Sequence, residues 1–308
     1  MTGSAITRRR LLALAGAAGL SGLLPAGRGR AGQAIHMKAI PSSGESIPTV
    51  GMGTWITFNV GEDARLRAHR KQILEVFFAR GGGMIDSSPM YGSAEAVVGW
   101  CLERLADTEG LFSATKVWTP MTASGPEQMA HSRRLWGVAA FDLMQVHNLV
   151  DWRTHLETLK RDKAEGRIRY LGVTTSHGRR HGELEEIMRR EPLDFVQLTY
   201  NIKDRRAEDR LLPLARDRGV AVIANRPFKH KQLFLDYQHR PLPDWAGEIG
   251  CANWAQFFLK FLTSHPAVTC AIPATSQVPH MEENMGALTG RLPDAAMRRE
   301  MVRYVESA

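Results

Sequence analysis

The stretch Met84-Ile-Asp-Ser-Ser-Pro-Met-Tyr-Gly-Ser-Ala-Glu95 ends an apolar run on a carboxylate, Asp86, and sets a phenol, Tyr91, five residues later on a turn rich in Gly, Ser and Pro. A carboxylate and a phenol brought together are suited to moving a proton, as two members of a relay whose other members come from elsewhere in the chain. A free phenol has a pKa of about 10 and gives up its proton reluctantly at neutral pH. A neighbouring ammonium favours the phenolate and eases that loss. Charged and polar groups follow other apolar runs too: Lys116 comes directly after the run 111–115, and His147 closes the run 143–147. Taken singly, each residue has a plainer use: Asp86 as a turn cap, Tyr91 as a loop aromatic, Lys116 as a surface cation, His147 as a histidine satisfied by its neighbours. Their order at the ends of successive runs argues for a shared site.

The elements that must position these groups are legible as an alternation. Apolar or β-rich runs occur at 49–54, 84–86, 111–115, 143–147, 170–174, 195–199, 220–224 and 268–272. Between them lie helical spacings, such as 70–80 with Ile73, Leu74, Phe77 and Phe78 on one face, and 156–165, 183–190 and 206–218. Gly81–Gly83, Gly166 and Gly219 stand where helices are expected to stop. No linker or low-complexity stretch divides the chain. Eight strand–helix alternations predict an α/β fold of the (β/α)8 TIM-barrel type over residues 35–308. The alternative is a doubly wound open sheet. Against it, Gly51-Met-Gly53 lacks the third glycine and the following helix of a dinucleotide-binding G-x-G-x-x-G turn. A barrel gathers its active residues at the C-terminal ends of its strands. Those ends are Thr54/Trp55, Asp86, Lys116, His147, Thr174/Thr175, Gln197 to Tyr200, Asn225/Arg226 and Ala274/Thr275.

Composition sets limits on function. The formal charge of +8 invites a nucleic-acid partner, but residues 1–34 hold five arginines and no acid, which leaves +3 for the remainder. That remainder is spread along helices of mixed sign and reads as a solvated surface, so no nucleic acid is expected. Cys101, Cys251 and Cys270 form no CxxC and no zinc pattern; no metal is expected, and one disulfide stays open. At the N-terminus, Thr7-Arg-Arg-Arg-Leu-Leu12 precedes a weakly apolar run rich in Gly and Ala and then Pro25. A basic start, a short apolar middle and a small-residue tail make an export signal over 1–34, too short and dilute for a stable membrane anchor.

Several stretches together carry a family resemblance. They are Val50-Gly-Met-Gly-Thr-Trp55, Asp86 with Tyr91-Gly-Ser-Ala-Glu95, Ser113-Ala-Thr-Lys-Val117, Asp142-Leu-Met-Gln-Val-His147, Tyr170-Leu-Gly-Val-Thr-Thr-Ser-His177, Phe195-Val-Gln-Leu-Thr-Tyr-Asn201, Ile272-Pro273 and Glu283-Asn284. Over nearly all of residues 40–290 the chain resembles the aldo/keto reductases, and the first segment resembles a twin-arginine signal. The family resemblance implies a (β/α)8 barrel that binds a nicotinamide dinucleotide without a Rossmann fold. It also implies a tetrad carried here onto Asp86, Tyr91, Lys116 and His147. Tyr91 would protonate the oxyanion left when hydride reaches a carbonyl carbon. Lys116 would lower the phenol's pKa, Asp86 would hold Lys116, and His147 would orient the carbonyl. Trp55 and Trp118 would wall the substrate pocket and suit an apolar or aromatic carbonyl or alcohol.

The same resemblance places the cofactor. Thr174, Thr175 and Gln197 stand where the family holds the nicotinamide carboxamide, with Thr54 at the same rim. Asn225-Arg226-Pro227-Phe228 stands where many relatives carry a stacking aromatic, and Asn225 cannot stack. Ala274, Thr275, Ser276 and His280 fall on the adenosine-phosphate loop, and Glu283 and Asn284 would hold the adenine. Ala274 and His280 replace basic groups that suit a 2′-phosphate, so NADP is expected and NAD is admitted. A twin-arginine address implies the twin-arginine export machinery as a partner and a periplasmic location, where no recycling nicotinamide pool is expected; export with the dinucleotide already seated resolves that conflict. The alternative is a non-catalytic exported barrel that binds a dinucleotide or a partner, against which stands the retained tetrad.

Overall fold

The computed structural model describes residues 34–307; the export signal expected over 1–34 falls outside these residues save for Ala34. The described chain opens with two three-residue strands, β1 (Met37–Ala39) and β2 (Ser46–Pro48), paired antiparallel. Eight parallel strands follow: β3 (Met52–Gly53), β4 (Met84–Asp86), β5 (Phe112–Val117), β6 (Phe141–Val146), β7 (Ile168–Thr174), β8 (Phe195–Thr199), β9 (Ala221–Asn225) and β10 (Cys270–Ala271). They pair strictly in chain order. A parallel bridge between Val50 and Ala271 joins the last strand to the first. There the Gly51 N–H donates to the Ala271 carbonyl at 2.9 Å, and the Ala271 N–H donates to that of Thr49 at 2.9 Å. The sheet therefore closes into the expected barrel, which excludes the doubly wound alternative. Strands β4 and β8 coincide with their sequence runs. The runs 49–54 and 268–272 ladder over two residues each.

The closed end of the barrel is stoppered by the hairpin. Ile40 and Ile47 enter a cluster with Met84, Phe112, Leu143, Tyr170 and Phe195 from the strands. Within it the rings of Phe112, Tyr170 and Phe195 lie 5.6 to 5.9 Å apart. Each such side chain taken out of water contributes about 1.5–3 kcal/mol. The Tyr170 hydroxyl fastens the hairpin turn through Ser43 Oγ at 2.7 Å and Glu45 at 2.5 Å.

The helices lie outside the strands. The helix Ala64–Ala79 starts at Asp63, whose side chain accepts the Leu66 N–H at 2.8 Å, and it turns Ile73, Leu74 and Phe77 inward. The helix Leu211–Arg218 stops at Gly219, which takes a left-handed φ of 65° and returns its N–H to the last turn. The helices Ala94–Leu102 and Gly125–Trp136 touch at Gly99, where a Cβ would sit 1.8 Å from the Leu135 carbonyl oxygen. The helix Trp254–Thr263 is buried along all of its residues. The three cysteines are free and buried, so the open disulfide reading is not realised. Burial pushes the thiols of Cys101 and Cys270 up to about 12 and that of Cys251 up to about 11.

Backbone strain is confined to one end. Among the described residues, nine non-glycine residues have positive φ: Ile56, Asn148, Leu149, Asp151, His177, Arg180, Arg226, Lys229 and His230. All lie in loops that leave the C-terminal ends of β3, β6, β7 and β9. Ile56, β-branched at φ 63°, is an outlier by sterics alone.

Candidate active site

A cleft of about 290 Å³ opens at the C-terminal end of the barrel. The end of β4 delivers Asp86 to its floor, and the end of β5 delivers Lys116 beneath it. Lys116 is fully buried; its Nζ donates to Asp86 Oδ2 at 2.5 Å and to the Ser87 carbonyl at 2.7 Å. The other carboxylate oxygen, Oδ1, accepts from Gln145 Nε2 at 3.0 Å and Gln197 Nε2 at 2.9 Å. Asp86 is thus held by three donors from three other strands.

Tyr91 closes a short 3₁₀ turn, Pro89–Tyr91, which begins at Ser88. The turn swings the phenol back over Lys116, whose ammonium lies 5.2 Å from the ring centre. Behind it, Glu95 accepts Thr115 Oγ1 at 2.6 Å and Ser132 Oγ at 2.9 Å, which fixes the next helix to β5. Burial pushes the Tyr91 phenol above its ordinary value, while Lys116 pulls it down and Asp86 pushes it up. The net direction is upward: desolvation outweighs the lowering expected from the lysine. Burial works against the charge on Lys116, but Asp86 and then Tyr91 outweigh it and hold the ammonium above its ordinary value.

His147 follows β6 and meets Tyr91 edge-on, with ring centres 5.7 Å apart at 86°. Its Nδ1 lies 2.9 Å from Ser88 Oγ. Burial, then the Lys116 charge, pushes its imidazole down to about 2, so it is neutral at physiological pH.

The remaining strand ends line the same cleft. Thr54, Trp55, Thr174, Thr175, Gln197, Asn225, Arg226, Pro227, Phe228 and Ala274 all border it with Asp86, Tyr91 and His147. Thr54 Oγ1 donates to Ser87 Oγ at 2.8 Å. Asn225 is tied into the wall: its Nδ2 donates to the Thr175 carbonyl at 2.8 Å, and its Oδ1 accepts Thr199 Oγ1 at 2.8 Å. Two expectations fit less well. Trp118 does not border the cleft; its backbone N–H and carbonyl are both bonded by the Gln128 side chain, which turns this segment toward the following helix. Thr275, Ser276, His280, Glu283 and Asn284 lie on the loop and helix beyond β10, outside the cleft lining. There Thr275 Oγ1 accepts the Gln277 N–H at 3.0 Å within its own turn. Sequence reasoning missed Gln145 and Ser88, although both lie inside quoted stretches; the available signals were a polar residue near the end of the apolar strand β6 and a turn-starting serine just after β4.

A profile of the aldo/keto reductase family matches residues 49–300. This chain is an aldo/keto reductase. It is 28% identical over 273 residues to the methylglyoxal reductase YeaE of Escherichia coli K12, covering 85% of this chain and 93% of that one. It is 26% identical over 238 residues to the NADH-specific methylglyoxal reductase of the same organism, covering 63% and 68%. Among solved structures it superposes on the aldo/keto reductase of Klebsiella pneumoniae, in complex with NADP and acetate, with a TM-score of 0.72 and 25% identity over 85% and 92% of the two chains.

The cleft of this aldo/keto reductase suits a nicotinamide. Thr175 Oγ1 is buried there with no protein partner, and an amide group can satisfy such an oxygen. The cleft mouth carries the cations Arg226 and Lys231, which suits an anionic ligand. A separate groove of about 670 Å³ lies on the outer surface between the helices Trp152–Ala164 and His181–Arg190, away from these groups.

Proposed function

We propose that this aldo/keto reductase reduces an aldehyde or ketone to an alcohol with NADP(H), using Tyr91 as the general acid. The observation that carries the reading is the buried Lys116 ammonium, held by Asp86 and set under the Tyr91 phenol at the floor of an open cleft. The nicotinamide, when bound, supplies the hydride. Thr175, with the amides of Gln197 and Asn225 nearby, would hold its carboxamide. Tyr91 gives its proton to the carbonyl oxygen as negative charge develops there, and Lys116 stabilises the phenolate left behind. The upward direction of the Tyr91 phenol keeps it protonated at neutral pH, the state an acid needs before reduction. Neutral His147 offers a hydrogen bond that orients the carbonyl. Trp55, Ile56 and Met90 give one wall of the cleft an apolar face suited to an apolar or aromatic substrate. Both nicotinamides are named among the relatives, NADP with the Klebsiella enzyme and NADH with one Escherichia coli enzyme. NADP is the reading taken here, with Thr275, Ser276 and His280 as donors to its adenosine end.

The test is reduction of an aromatic aldehyde with NADPH and with NADH, comparing wild type with Tyr91→Phe. The expected loss is roughly 10²–10⁴-fold in kcat, the usual worth of a positioned acid, with nucleotide affinity unchanged in a fluorescence titration. Equal rates would remove Tyr91 from the chemistry. We further propose, on the pattern Thr7-Arg-Arg-Arg-Leu-Leu12 alone, that the protein folds and takes up its dinucleotide before export by the twin-arginine route to the periplasm.

A further inference from the structure

We infer that Ser88 is a positioning residue that fixes the tautomer of His147, keeping the proton on Nε2 where it can donate into the cleft. The inference rests on the carbonyl-reductase reading for its consequence, but not for its geometry. Ser88 is fully buried, in an extended conformation at φ −166° that begins the turn to Tyr91. Its Oγ accepts the Met90 N–H at 3.2 Å and lies 2.9 Å from His147 Nδ1. A serine hydroxyl has one proton to give and two lone pairs to fill. The Met90 amide uses one lone pair. If His147 Nδ1 also carried a proton, Ser88 Oγ would accept twice, and its own buried proton would have no acceptor among the described residues. Donation from Ser88 Oγ–H to Nδ1 satisfies every group. In a neutral imidazole a proton acceptor at Nδ1 leaves the proton on Nε2.

The other ring nitrogen is where that proton is useful. Among the described residues Nε2 has no hydrogen-bond partner, and His147 borders the cleft beside Tyr91. A carbonyl oxygen placed between them would then meet two donors, the phenol O–H and the imidazole N–H. In the opposite tautomer it would meet one donor and one lone pair, and the carbonyl would be repelled from the imidazole. Ser88 therefore couples the turn that carries the acid to the side chain that orients the substrate: one residue begins the turn to Tyr91 and sets the donor face of His147.

Nitrogen NMR of the imidazoles in the cofactor-free protein reads the tautomer directly. For His147, assigned by its loss in His147→Asn, the expected signature is a protonated Nε2 and a bare, hydrogen-bonded Nδ1. In Ser88→Ala the two tautomers should mix, and kcat for an aromatic aldehyde should fall about tenfold to a hundredfold, by analogy with the loss when the orienting partner of a metal-bound histidine is removed; nucleotide affinity should be unchanged. Ser88→Thr, which keeps the hydroxyl, should restore both the signature and the rate. A proton on Nδ1 in wild type, or a signature and rate unmoved in Ser88→Ala, overturns the assignment. The wild-type spectrum needs no variant to fold. It also separates this inference from the wider one: a wild type that turns over no carbonyl defeats the carbonyl-reductase reading, while the imidazole signature alone decides the tautomer.

Discussion

His147 enters the cleft uncharged, and that has a thermodynamic signature. Its pKa is about 2 in the folded protein, through burial and then the Lys116 charge, against about 6.5 in an unfolded chain. Below 6.5 the unfolded state takes up a proton that the folded state refuses. Stability from this group is therefore fully present above pH 6.5 and is lost as pH falls toward 2. Between pH 7 and pH 5 the loss is about 2 kcal/mol. His265, pushed down to about 4 by burial and then Arg298, acts in the same direction. Urea unfolding at pH 7 and pH 5 measures the effect, and His147→Asn should flatten it; an identical pH dependence in that variant would mean that the imidazole is charged in the folded protein. At this scale the sequence was readable for residue types: Asp86, Tyr91, Lys116 and His147 do converge. It was not readable for the direction of the Tyr91 shift, because that depends on how far burial outweighs a neighbouring charge. Nor could it reveal Ser88 or Gln145 as partners, since which neighbours a polar side chain finds is settled only by strand register.

Among the elements, the tightest constraint is the contact between the helices Ala94–Leu102 and Gly125–Trp136. A methyl group at Gly99 would overlap the Leu135 carbonyl, which is backbone and cannot rotate away. Gly99→Ala should therefore cost at least about 1–3 kcal/mol through overpacking, although alanine is the better helix former. A shift in the urea midpoint measures it, and a neutral or stabilising result would mean the helices sit farther apart. That pair also carries Glu95 and Ser132, which tie the Tyr91 turn to β5, so the same variant is expected to lower activity. The element pattern was legible where a short apolar run is bounded by polar or turn residues, or where a helix keeps one polar face. Strands β4 and β8, and the helix His181–Arg190, fall within a residue or two of their sequence signals. The helix Trp254–Thr263 went unread although Gln256, Lys260 and Thr263 recur at helical spacing; all three are buried, so the polar stripe does not mark a solvent face. The hairpin β1–β2 was missed because strands of three residues broken by Pro41 and Gly44 carry too little pattern.

At the scale of the whole molecule, the export proposed for this closed barrel makes one prediction. If the protein is exported folded and loaded, mass spectrometry of small molecules released from the purified mature protein should find a nicotinamide dinucleotide. A mature protein that carries no nucleotide, and binds none on titration, would sink the loaded-export reading. The two ends of the barrel are also built to different rules. One end is stoppered by Ile40, Ile47 and three packed rings in ordinary backbone geometry. The other end holds all nine left-handed non-glycine residues among those described, five of them, Ile56, Asn148, His177, Arg226 and His230, on the cleft itself. Strained conformations of this kind cost on the order of 1–3 kcal/mol each, and a packed framework must over-determine them. Substrate preference and fold maintenance are thereby written into separate parts of the chain. A lineage carrying this barrel can exchange rim loops and drift toward new substrates while the stopper keeps the eight strands in register.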